Sequence, residues 1–297
     1  MIIKPRVGVP PEAVRQTARH TLFVEGSSPA TIDPTALDAL LGTLITVKPL
    51  GASFHIRSAA EALQPHHPDY YFLIDRDHQN VPVVEKSWKN FPDPKTQNLL
   101  IWRRRELENY FLISDYLVHS DYLTCNQDKL EAAIVKAARQ RIFLDAANLA
   151  ITQVREDLKS KWIESFPSST GFETRAKARI ELLSRAEFVT HPKAVKSKLG
   201  QKALEKRFDA IVDEWLGDAS LVEPLIGKGT WLEMIRGKAI LPTVINYCFK
   251  VRDANGRVLQ GKSKLFEVVR NLLQKPLTNQ PKDFQALYQL ISERVSE

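Results

Sequence analysis

The sequence predicts an α/β fold: a mostly parallel sheet of about four strands flanked by helices, followed by a mostly α-helical region. Three observations predict it. Short apolar runs alternate with helix-period segments over the first third of the chain. Those runs are nearly all apolar, as strands covered on both faces are. From "ELENYFLISDYLV" (106–118) onward the period becomes helical.

The elements follow in order. "TLFVEG" (21–26) reads as a short buried strand ending in Glu-Gly. "DPTALDALLG" (33–42) reads as a helix, with Asp33 as cap, Pro34 in the first turn and Gly42 at the stop. "LITVKPLG" (44–51) is a second strand, and "SFHIRSAAEALQ" (53–64) a helix opened by Ser53 and ended before Pro65. "YYFLIDRD" (70–77) and "NLLIW" (98–102) supply the third and fourth strands. Helices of this length between strands imply crossovers and a parallel sheet.

Downstream, "KLEAAIVKAARQRIFLDAANLAITQVREDL" (129–158) has no Gly or Pro and is rich in helix formers. "KALEKRFDAIVDEWL" (202–216) sets Leu204, Phe208, Ile211 or Val212, and Trp215 on one stripe. "ESFPSSTGFE" (164–173) is a loop or hinge, and two amphipathic helices close the chain. The organisation expected is an N-terminal arm over 1–19, a sheet domain over 20–115 and a helical domain over 116–297.

Composition narrows the chemistry. Two cysteines, Cys125 and Cys248, are too few for a disulfide framework or a thiolate zinc site. The first residues lack the apolar core of a signal peptide, and no apolar run is long enough to span a membrane, so a reduced cytoplasmic compartment is expected. The net charge is +7, and all of the excess lies beyond residue 124. A basic half beside an acidic half suits a polyanion held against a cation. A solvated lysine-rich helical surface produces the same balance.

In parallel sheets, ligands bind outside the carboxyl ends of the strands. Glu25, Asp75 and Asp77 fall at such ends. Alternate residues of an extended segment point to one side, roughly 6.5–7 Å apart, so Asp75 and Asp77 can serve one cation pocket with Glu25. Oxygen-only ligands favour a hard cation such as Mg²⁺. A solvated Asp capping the next helix accounts for Asp-x-Asp alone equally well.

"LFVEG", "PLG", "FLIDRD" and "RRRELENYFL", in this order over about residues 20–115, resemble a toprim domain. They are most similar to toprim nucleases of the OLD (overcoming-lysogenisation-defect) family. The stand-alone arrangement is similar to the toprim effector subunit (AriB-like) of the PARIS anti-phage system. The resemblance implies that Glu25 is a metal ligand or general base, that Asp75 and Asp77 bind metal, and that Glu108 is a further ligand, with Glu106 as its competitor. "WLEMIRGKAIL" (231–241) resembles the Gly-Lys element of these nucleases, which casts Lys238 as a phosphate-neutralising catalytic residue.

The implied activity is Mg²⁺- or Mn²⁺-dependent cleavage of phosphodiesters by one or two ions, in abortive infection. Transfer RNA is the implied substrate, with DNA possible, and a separate ABC-type ATPase restrains a homodimeric effector. A DNA nickase of OLD type and a degenerate, non-catalytic binding subunit are the alternatives. Pro29 stands where many toprims carry another acid, which leaves the second metal position open.

Candidate nucleic-acid contacts are Arg76, Arg103, Arg104 and Arg105, with Lys193, Lys196 and Lys198 in the densest basic run. Arg76 has a second reading, pairing with a neighbouring carboxylate and ordering the loop. Trp102 is read as core. "GRVLQGKS" (256–263) matches the P-loop pattern through Gly256, Gly261, Lys262 and Ser263. Its context, an Asn-Gly turn followed only by helices, argues against a nucleotide site.

Overall fold

Thr21–Val24 (β1), Thr46–Pro49 (β2), Tyr70–Ile74 (β3) and Leu99–Ile101 (β4) pair in the order β2-β1-β3-β4, every pair parallel. The computed structural model describes residues 20–64, 66–93, 98–158, 165–185 and 199–296. The expected arm over 1–19 and the lysines at 193, 196 and 198 lie outside the described residues. None of the helices among the described residues is long and apolar enough to cross a membrane.

The α/β class is thus observed, with an all-parallel sheet. Central strands β1 and β3 are buried at every position, which explains their unbroken apolar runs. Phe23 of β1 lies beside Phe72 of β3, centroids 5.4 Å apart, and meets Tyr70 edge-on at the same distance. Edge strand β2 is half-buried to exposed and takes Pro49, a residue that an edge tolerates because no ladder bond is lost there.

Helix α1 (Ile32–Leu41) follows β1, α2 (Ser53–Leu63) follows β2 and α3 (Val81–Asn90) follows β3. Helix α1 begins one residue before Asp33, with Thr31 in the N-cap position, so the expected Asp33 cap is corrected. Asp33 is instead buried inside the first turn. Helix α3 went unread in the sequence: its start, "VPVV", exposes Val81 and Val83, and only Pro82 in the first turn marks it. It seals the open edge of the sheet, where the Ser87 hydroxyl accepts from Ile101 N at 3.2 Å and the Trp88 indole donates to Ile101 O at 2.8 Å.

A second compact unit comprises 104–118 and 122–261. It contains a buried 3₁₀ turn (Leu107–Leu112), α4 (Ser114–Leu117), α5 (Gln127–Arg139), α6 (Ile142–Leu158), α7 (Arg175–Leu183), α8 (Gln201–Leu216), α9 (Trp231–Met234) and α10 (Gly237–Cys248). The Gly- and Pro-free stretch 129–158 is broken at Gln140–Arg141 into α5 and α6. Arg141 N there bonds Ala138 O, a 3₁₀-type closure. The stripe Leu204, Phe208, Ile211, Val212 and Trp215 is buried as expected.

Helices α11 (Gly261–Leu273) and α12 (Lys282–Ser296) belong, from Lys262 on, to the first unit. The first unit takes in the chain up to Arg103, the short segment His119–Asp121, and the residues from Lys262 on. Trp102 is fully buried against Phe284 of α12, centroids 5.6 Å apart. Next to it, Arg103 bonds Glu85 at 2.9 Å and Asp283 at 2.8 Å and lies 4.2 Å over the Trp88 ring.

This guanidinium ties α3 and α12 to the end of β4. Its hydrogen bond holds the Glu85 carboxyl below the usual carboxylate range. A depressed carboxyl contributes stability that is fully present above the ordinary value, ~4.3. That contribution is lost as pH falls through the lowered folded value. Arg103→Ala is expected to cost about 1–2 kcal/mol at neutral pH. Denaturant titrations should show the difference from wild type shrinking below pH ~4, as Glu85 takes up its proton.

Candidate functional site

The strand order reverses between β1 and β3: the chain leaves β1 for β2 on one side and returns to β3 on the other. Open parallel sheets bind ligands at this switch point, beyond the carboxyl ends of the strands. Glu25 follows β1 directly and Asp75 follows β3 directly. Their loops meet there, with the Asp75 backbone N–H donating to Glu25 Oε1 at 3.0 Å. This bond orients the Glu25 carboxylate toward the neighbouring strand end.

Gly26 makes that turn possible. Its φ is 142°, in the region that side chains disfavour, and a Cβ would stand 2.3 Å from Thr31 Oγ1. Gly26 and Gly51 exchange backbone hydrogen bonds of 3.0 and 2.8 Å in an antiparallel bridge. The Glu-Gly and Pro-Leu-Gly stretches of the sequence thus form one structure that pins the Glu25 loop.

On the β3 side, Asp75 is 4% exposed. Asp77 is exposed and adopts φ 49°, a left-handed conformation that Asp tolerates better than most residues. Between them Arg76 donates from Nε to Gln79 O at 3.1 Å and from a terminal nitrogen to Arg103 O at 2.8 Å. These bonds tie the Arg76 guanidinium to two backbone carbonyls of the strand-end loops. The strand ends at Ile74, so Asp75 and Asp77 are not alternate residues of one extended segment, and the shared-face argument does not apply to them.

Among the described residues, no group of three or more His, Cys, Asp and Glu is arranged to hold a metal ion. What the switch point offers is the Glu25–Asp75 pair, with Asp77 on the adjoining turn. All of these donors are oxygen, the kind a hard cation takes. Mg²⁺ is commonly held by one or two carboxylates, completed by water and substrate phosphate. The donor chemistry fits that mode.

The other motifs meet in the second unit. Glu106, 5% exposed, is the N-cap of the 3₁₀ turn in a reciprocal capping box with Asn109. Its Oε2 also accepts from Lys238 N at 2.7 Å, and Arg236 approaches its Oε1 at 3.8 Å. Asn109 Nδ2 donates to Leu232 O at 3.0 Å and to Ile235 O at 2.8 Å. Gly237 is required by this contact, since a Cβ would lie 2.7 Å from Asn109 Oδ1 and 2.8 Å from Asn109 N. "LENY" and "RGK" are therefore one packed assembly at the start of α10. Glu106 is engaged in capping two backbone segments, whereas Glu108 is 4% exposed on the 3₁₀ turn.

Asp145, 1% exposed, was not singled out in the sequence. Its Oδ2 accepts from Arg236 N at 2.9 Å, and Oδ1 pairs with Arg141 at 2.9 Å. Two buried carboxylates thus satisfy orphan N–H groups at the N-terminus of α10 and face its positive end. A lone acid inside the apolar run "IFLDAANLA" was the available signal.

The arginine run is held internally. Arg104 lies 5.5 Å from the Tyr110 ring, and Arg105, 9% exposed, donates to Met234 O at 3.2 Å. In "GRVLQGKS", an antiparallel Arg252–Val258 bridge precedes α11, so a turn rather than a sheet strand leads into Gly261, Lys262 and Ser263. Set against protein-family models and curated proteins, the chain matches none.

Removing Asn109 should unlock the Gly-Lys turn. Asn109→Ala is expected to cost about 2–4 kcal/mol, because it strands two carbonyls and the Glu106 N–H. Gly237→Ala should cost about 1–3 kcal/mol by overpacking against backbone. Chemical denaturation of both variants measures these losses.

Proposed function

We propose that the chain is a metal-dependent phosphodiesterase of toprim type, a nuclease whose reacting phosphate is held at the β1/β3 switch point. The observation that carries this reading is the Asp75 N–H···Oε1 Glu25 bond, which couples two acidic strand ends where parallel sheets take their ligands. The left-handed turn at Asp77 and the glycine bridge behind Glu25 add support, because strained backbone concentrates at functional sites.

Glu25 and Asp75 would hold the cation, with Asp77 contributing from the adjoining turn. When bound, the cation supplies Lewis-acid polarisation of the phosphate and lowers the pKa of a coordinated water. Glu25, oriented by Asp75 N–H, accepts the proton of the attacking water. The motif resemblance, and no placement within the fold, casts Lys238 as neutralising charge on the phosphate. Within this reading the chain is an anti-phage effector acting on transfer RNA, restrained by a separate ATPase and active as a homodimer, as the motif resemblance implies.

Purified protein incubated with Mg²⁺ or Mn²⁺ and either total transfer RNA or supercoiled plasmid tests the reading. Wild type is expected to cleave RNA, and Glu25→Gln and Asp75→Asn should each lower the rate by at least a hundredfold. Nicking of plasmid with RNA intact would assign the DNA-directed alternative. Cleavage unchanged in both variants would remove the switch point from the chemistry.

A further inference from the structure

The carboxyl edge of the sheet carries more than acids. Four large apolar side chains of the first unit are exposed among the described residues: Phe54, Val81, Val83 and Leu277. Phe54 is 59% exposed in the first turn of α2, and Val81 and Val83 lie in the first turn of α3. Those turns follow β2 and β3, so three of the four stand on the edge where Glu25 and Asp75 lie. Phe54 is the one aromatic among these four.

Phe54 is held in place. Its ring packs on His55, centroids 3.8 Å apart. The His55 ring in turn lies against Gly51, where a Cβ would come 2.9 Å from its Nδ1. Gly51 is the residue bridged to Gly26, next to Glu25. A continuous series of contacts therefore runs from the acidic strand end through the two glycines and His55 to an exposed aromatic face. The ring adds nothing to the core and leaves a flat apolar face in solvent beside the acidic strand ends.

We propose that Phe54, braced by His55 on the Gly26–Gly51 bridge, is a stacking platform for an unpaired nucleobase, which makes looped or single-stranded nucleic acid the substrate class of the switch-point site. Bases in a duplex are stacked on their neighbours and cannot offer this face, whereas splayed bases in loops are recognised on aromatic side chains. The proposal takes its ligand class from the nuclease reading, but its test needs no cleavage.

The test is fluorescence anisotropy with a labelled 12-nucleotide oligoadenylate and with a duplex of the same length. Both are titrated in Ca²⁺, with probe length checked on a gel afterwards. Phe54→Ala and Phe54→Leu should weaken binding of the single strand about 5- to 100-fold, Phe54→Tyr should retain it, and duplex binding should not move. Far-ultraviolet circular dichroism of each variant establishes that the fold is kept. Full binding by the leucine variant, an equal loss on the duplex, or no single-strand binding by wild type would overturn the platform. A loss confined to the non-aromatic variants, alongside Glu25→Gln cleavage at the wild-type rate, would uphold it and reject the nuclease chemistry alone.

Discussion

The architecture of the sheet unit depends on one constraint: a side chain cannot occupy position 26. With φ at 142° and Thr31 Oγ1 in the way, only glycine lets the chain turn out of β1 and bridge to Gly51. That bridge fixes where Glu25 stands, and the Asp75 N–H then completes its orientation. The placement of Glu25 and the seat of His55 against Gly51 both depend on this pair of glycines. The glycine bridge ties the loop after β1 to the loop after β2, and the Asp75 N–H ties it to the loop after β3 on the other side of the switch point.

The second unit solves a comparable problem with charge. Helix α10 begins with Gly-Lys after a tight turn, and its first N–H groups have no partners within the helix. Glu106 and Asp145 supply acceptors to Lys238 N and Arg236 N, while Asn109 ties the preceding carbonyls. Burying two carboxylates is costly unless each is hydrogen-bonded, and here both are. The arrangement explains why the Glu-Asn-Tyr and Gly-Lys stretches occur on one chain more than a hundred residues apart.

The arginine run has partners within the fold. Arg103, Arg104 and Arg105 look like a polyanion grip when read in line. Arg103 instead clamps α3 and α12, and Arg105 is buried against a backbone carbonyl. Guanidinium groups suit both tasks because they are always charged and offer several donors in a plane.

The sequence by itself determined the four strands, their parallel pairing, most of the helices and the presence of acids at strand ends. These are properties of short windows, written in apolar period and in Gly and Pro punctuation. Tertiary structure alone decided that Glu25 is met by the backbone of Asp75 rather than by a third carboxylate. It also decided that Glu106 is a cap, that Asp145 holds a helix 91 residues away, and that the last two helices return to the first unit. Helix α3 and the break at Gln140–Arg141 belong with these, for their local signals were weak. The physical reason is common to all of them: a carboxylate, an amide or an exposed valine has the same local preferences wherever it occurs, and only the chain brought against it assigns its partner.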